Sequence, residues 1–153
     1  GLSPEDTVRY IAKKKCDAAA ALCAPDDLII TADTMVFLDN DRLGKPRDEE
    51  DALRMLRELA GRGHTVCTGV SVRRGAQEER FAVSTRVFFR PMTDDEIRAY
   101  IKTGEPMDKA GAYGVQSRGA LFVERIDGDF FNVMGLPVEQ LGLVLARFGV
   151  KLL

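Results

Sequence analysis

The chain has 153 residues, 45% hydrophobic and 30% charged, with a formal net charge of −2 at pH 7. That length is enough for one domain with a real core, and the near-neutral balance excludes a general nucleic-acid surface, which would carry a basic excess. No apolar stretch approaches a membrane span and no signal peptide is visible, so a cytoplasmic protein without membrane or nucleic-acid partners is expected.

The first predicted element is an amphipathic helix over 3–23. Ser3 is its N-cap, Pro4 takes the first helical position, and Glu5 and Asp6 follow. At about 100° per residue, Val8, Ile11, Ala12, Ala19, Leu22 and Cys23 form one apolar stripe, with Lys15 in its midst. An ammonium carried toward a core is costly unless an anion meets it. The alternative is that Lys15 snorkels to the rim of the stripe. Cys16 and Cys23 share a helix face but lie about 10 Å apart along the axis, too far for a disulfide. With no CxxC pair, zinc is not expected and reduced thiols are.

A strand over 28–33 ends at Asp33, followed by Thr34. Carboxyl ends of buried strands are where open α/β sheets bind ligands. An aspartate there can hold a divalent metal or accept a proton from water, or simply cap the next turn. Residues 35–43 suggest a short hairpin around Asp39-Asn40-Asp41. Gly44-Lys45-Pro46 is a break with a lysine that could meet a phosphate as a point charge. The chain has no GxxxxGK[ST] sequence, so a P-loop is excluded.

A second helix is expected from near Asp48 to Gly61. Strands over 64–73 and 79–90 then form a hairpin at Arg74-Gly75-Ala76. His64, the only histidine, reads as a strand-start residue, and no nucleophilic triad is recognisable. Thr93 to Glu96 is a capping box for a third helix that Gly104 ends. Residues 105–119 read as an ordered loop bearing Asp108, Lys109 and Gln116. A strand over 120–126 follows, then a segment around Asn132 where a strand enters a helix, and a last helix opened by Pro137. Interleaved helices and strands with one tight hairpin predict an α/β fold, a mixed sheet flanked by helices.

Five segments in this order resemble the Maf family of nucleoside triphosphate pyrophosphatases: ADTMV at 32–36, LGKP at 43–46, GRGHTVCTGV at 61–70, GEPMDKAGAYGVQ at 104–116 and GDFFNVMGLP at 128–137. The resemblance implies one Maf-like domain over 1–153, an elongated α/β fold with a mixed twisted sheet, and a homodimer. It implies cleavage of a nucleotide between its α- and β-phosphates, with Mg²⁺ or Mn²⁺. By motif, Asp33 corresponds to the proton acceptor for the attacking water, and as a strand-end carboxylate it is also taken as the residue that holds the metal. Thr34 and Gln116 match positions linked to base preference, in the form of the branch acting on dTTP and UTP. Lys15 and Lys45 correspond to lysines lining the triphosphate pocket. Asp108 and Lys109 belong to a motif at the same cleft, and Lys109 is taken as substrate-binding. Family members begin with a strand and a serine/arginine phosphate loop, and this chain starts after them. That departure leaves a second expectation open, a non-catalytic Maf-like protein that binds nucleotides or a partner in cell-division control.

Overall fold

The computed structural model describes residues 1–153, which divide into two units. Unit 1 comprises Gly1–Thr34, Cys67–Ser84 and Phe131–Leu153, and unit 2 comprises Met35–Val66 and Thr85–Phe130. The strands are β1 (Ile29–Leu38), β2 (Asp41–Leu43), β3 (Gly63–Arg74), β4 (Gln77–Phe89) and β5 (Val123–Asp127). They form one sheet in the order β2-β1-β3-β4-β5. The helices are α1 (Pro4–Ala20), α2 (Glu49–Leu59), α3 (Asp94–Lys102), α4 (Phe130–Met134) and α5 (Val138–Arg147).

The α/β class is as expected. Within the sheet, the neighbours run antiparallel. The β1–β2 hairpin pairs Val36 with Leu43 and Leu38 with Asp41, and β5 pairs antiparallel with β4, with a bulge between Phe88 and Phe89. Only Gly75 and Ala76 separate β3 from β4, and Gly75 supplies the positive φ of that turn.

In unit 1, α1 starts as its sequence dictates. Ser3 accepts from the Asp6 amide at the cap, satisfying a donor the helix leaves over. Its C-terminal end is shorter than the apolar stripe suggests. The helix stops at Ala20, and Leu22 and Cys23 are exposed. No glycine or basic residue supports a further turn there. The buried face is therefore the i, i+4, i+8 row Val8, Ala12 and Cys16, and Lys15 flanks it. A Cβ on Gly69 of β3 would stand 2.3 Å from the carbonyl of Val8. Only glycine permits that approach of helix to strand. The other part of the core joins Val70 and Val72 of β3 to Leu141, Val144, Leu145 and Phe148 of the α5 segment.

In unit 2, α2 and α3 bury Leu53, Leu56, Leu59, Ile97 and Ile101. The capping box at Thr93 and Glu96 forms as expected. His64 is fully buried and its Nε2 lies 2.7 Å from the Tyr113 hydroxyl. Residues 105–119 are less irregular than the sequence suggests, with 3₁₀ turns at Glu105–Asp108 and Ala110–Ala112. A third 3₁₀ segment, Arg118–Phe122, takes the place of the start of the last predicted strand.

Candidate active site

Unit 1 holds Lys15, Asp33 and Thr34. The strand does not end at Asp33 as the sequence suggested: β1 runs on to Leu38, which puts Asp33 and Thr34 in mid-strand, where successive residues point to opposite faces. Thr31 donates to the Ala12 carbonyl of α1 at 2.7 Å, and Asp33, two residues on, also meets α1. Lys15 Nζ donates to Asp33 Oδ1 at 2.8 Å and to the Ala32 carbonyl at 3.1 Å. The anion that Lys15 needs is therefore Asp33. The lysine side chain remains half exposed, so the pair is worth only about 0.2–1 kcal/mol in stability. Its consequence is orientation.

With Oδ1 held by the ammonium, Asp33 Oδ2 is buried and has no hydrogen-bond partner. A buried carboxylate oxygen left bare costs free energy until water, a proton or a cation meets it. That atom is the one of the pair left open to a further partner. No group of three or more His, Cys, Asp or Glu side chains is arranged to hold a metal, so the protein alone provides no closed cage. Mg²⁺ ordinarily takes one or two carboxylates together with substrate phosphate oxygens and water. A single open carboxylate fits that mode.

Thr34 takes different partners from Asp33. Its Oγ1 lies 2.9 Å from Thr68 Oγ1 and 3.4 Å from the Gly135 carbonyl. Thr68 in turn donates to the Asn132 carbonyl at 3.2 Å. Asn132 lies within α4, where the sequence suggested a strand running into a helix.

Unit 2 holds Lys45, Asp108, Lys109 and Gln116. The Gly111 amide donates to the Gly44 carbonyl at 3.1 Å, which stitches the Lys45 turn to the 3₁₀ segment beyond Lys109. Lys109 Nζ pairs with Asp108 Oδ1 at 3.0 Å, while its stem lies over Gly114. Asp108 is held below the usual carboxylate range, first by its bond to Lys109 and in smaller part by the charge of Lys45. Lys45 and Gln116 are exposed.

Sequence reasoning passed over Asp51. It accepts from the Arg47 amide at 3.0 Å and from Arg54 Nε and Nη2 at 3.0 and 2.8 Å. The i, i+3 and i+4 spacing of these residues at a helix start was the available signal. The Arg47 amide and the Arg54 guanidinium hold the Asp51 carboxyl at about 2, against an ordinary 3.8. A depressed folded-state value stabilises the fold above the unfolded pKa and ceases to do so as pH falls through the folded one. Acid unfolding monitored between about pH 4 and pH 2 is thus expected to lose a component in Asp51→Asn. An unchanged profile would contradict this assignment.

A family model described as Maf-like protein matches residues 1–148. A dTTP/UTP pyrophosphatase of Bacillus velezensis is 50% identical over 150 residues, covering 98% of this chain and 79% of the relative. The dTTP/UTP pyrophosphatase of Dictyoglomus turgidum is 47% identical, covering 99% of this chain and 79% of its own. That of Pelotomaculum thermopropionicum is 46% identical, covering 100% and 81%. A family model matched along nearly the whole length, and relatives sharing about half the residues, place the chain in the Maf family.

Proposed function

We propose that the protein is a nucleoside triphosphate pyrophosphatase that hydrolyses dTTP and UTP to the monophosphate and pyrophosphate. The observation that carries this reading is the Asp33 carboxylate, held at Oδ1 by Lys15 with Oδ2 left bare. The activity for which the relatives are named, dTTP/UTP pyrophosphatase, supports the choice of substrates.

Asp33 Oδ2 takes a proton from a water whose oxygen attacks the α-phosphorus. The bond from that phosphorus to the bridging oxygen breaks, and pyrophosphate leaves. Lys45 and Lys109 are assigned to the phosphate tail as point charges. Thr34 and Gln116 are assigned to the pyrimidine edge, which a hydroxyl and an amide can read by donating and accepting. A divalent cation, Mg²⁺ or Mn²⁺, would be held by Asp33 with the substrate's own oxygens, and it would neutralise charge on the phosphates. The protein is taken to work as a single Maf-like domain over 1–153, in the cytoplasm and as a homodimer. No helix is long and apolar enough to cross a membrane.

Pyrophosphate release across dTTP, UTP, dCTP, dATP and 7-methyl-GTP, with and without Mg²⁺ or Mn²⁺, tests the reading. Metal-dependent release confined to dTTP and UTP is expected. Nucleotide binding with no release would point to a non-catalytic member of the family.

Lys15 deepens the test. If it orients Asp33, Lys15→Met lowers kcat about 10- to 100-fold, because a misplaced base loses its alignment. KM should then move by less than about threefold. A loss carried by KM would mean that Lys15 grips the triphosphate instead.

A further inference from the structure

The turn that carries Gln116 is bound on both sides by two residues to which the proposed chemistry gives no part. Before it, the Gly114 amide donates to the Tyr100 hydroxyl oxygen at 3.1 Å. After it, the Arg118 amide donates to Glu105 Oε1 and the Gly119 amide to Oε2, each at 3.2 Å. The Ser117 hydroxyl also donates to Glu105.

Three uncharged donors, the Ser117 hydroxyl and the Arg118 and Gly119 amides, therefore converge on one carboxylate, within the roughly four its lone pairs accommodate. Burial alone would push the Glu105 carboxyl up, yet these hydrogen bonds hold it below the ordinary glutamate range. Glu105 is consequently a permanent acceptor at neutral pH. The turn is also closed tightly on itself. A Cβ on Gly119 would stand 2.3 Å from the Gly114 carbonyl oxygen and 3.0 Å from the Tyr100 hydroxyl. The span 114–119 is thus fixed at both ends while Gln116, at its crest, stays exposed.

We infer that Glu105 and Tyr100 are positioning residues that set the backbone under Gln116 and thereby the base preference of the enzyme. This inference rests on the proposed function, in which Gln116 meets the pyrimidine. An amide reads a base only if its oxygen and nitrogen are presented at a defined angle, and its side chain has no charge or ring to hold it. The backbone beneath must supply that definition. Glu105→Gln sets an NH₂ group against N–H donors on one side of the clamp. Tyr100→Phe deletes the hydroxyl that accepts from the Gly114 amide and keeps the ring that packs edge-on against Phe122 at 5.0 Å.

The test measures binding of the α,β-imido analogues of UTP and CTP by calorimetry, so it does not need turnover. Turnover of dTTP is followed separately, and thermal unfolding confirms folding. Glu105→Gln is expected to lower the uridine-over-cytidine ratio about tenfold, and Tyr100→Phe about threefold. In a Gln116→Ala background neither should lower it further, because residues acting through one another are not additive. The inference is overturned by an unchanged ratio in either folded variant, by additive losses on Gln116→Ala, or by a parent protein without uridine preference. If Glu105→Gln does not fold, Tyr100→Phe decides. Absence of dTTP turnover in the parent protein would instead remove the proposed function, and the binding ratio would still report on the clamp.

Discussion

Asp33→Asn is expected to lower kcat for dTTP and UTP by about 10²- to 10⁴-fold, the range typical of losing a positioned general base. The substitution keeps the shape of the side chain. Its oxygen can still accept from Lys15, as Oδ1 does now at 2.8 Å, so the α1 contact should persist. The atom that replaces Oδ2 is an NH₂ group, which cannot take a proton from water or ligate a cation. Stability should change little, since the lysine of the pair is half open to solvent and the ion pair itself contributes little. Pyrophosphate release in single-turnover and steady-state assays, alongside thermal unfolding, separates the two effects. A variant as fast as its parent would remove Asp33 as the base.

The second large effect is on stability and comes from His64. Its Nε2 is paired with the Tyr113 hydroxyl at 2.7 Å, and its Nδ1 is buried without a partner. A doubly protonated ring would need an acceptor at both nitrogens. Burial, aided by the nearby Arg86 charge, pushes the imidazole down to about 3 from 6.5. The sign follows from linkage. Below pH 6.5 the unfolded chain binds a proton that the folded one refuses, so stability falls with pH until about 3. Between pH 7.5 and pH 5, the expected loss from this residue is about 2 kcal/mol. Urea unfolding at the two pH values measures it. His64→Gln should remove that dependence, whatever it does to stability at neutral pH. The same slope in the variant would assign the acid sensitivity elsewhere.

Much of the architecture was legible because it depends on near neighbours in sequence. Ser3, Asp48 and Thr93 each start a helix by accepting an amide three residues on, which is a local rule. The Gly75-Ala76 turn between two apolar alternating runs needs no distant partner to declare a hairpin. The 3₁₀ turns of 105–112 were not legible, since they are tied by long-range bonds such as that between Gly111 and Gly44. Glu105 gave no sign of its role for the same reason. Its donors lie 12 to 14 residues further on, and no periodicity connects them. Asp51 was readable by helical spacing and was missed because its partners are ordinary surface arginines.

By itself, the amino-acid order determined the α/β class, the starts of α1, α2, α3 and α5, the hairpins and the family, since each follows from spacing, capping chemistry or motif text. Only the tertiary structure decided where α1 stops burying its stripe, what Lys15 meets, and which oxygen of Asp33 remains bare. Those outcomes are set by side chains from separate elements sharing a small volume, where one hydrogen bond taken by an atom determines what its neighbour is free to do. Lys15 and Asp33, 18 residues apart, become an oriented ion pair only once α1 lies against β1.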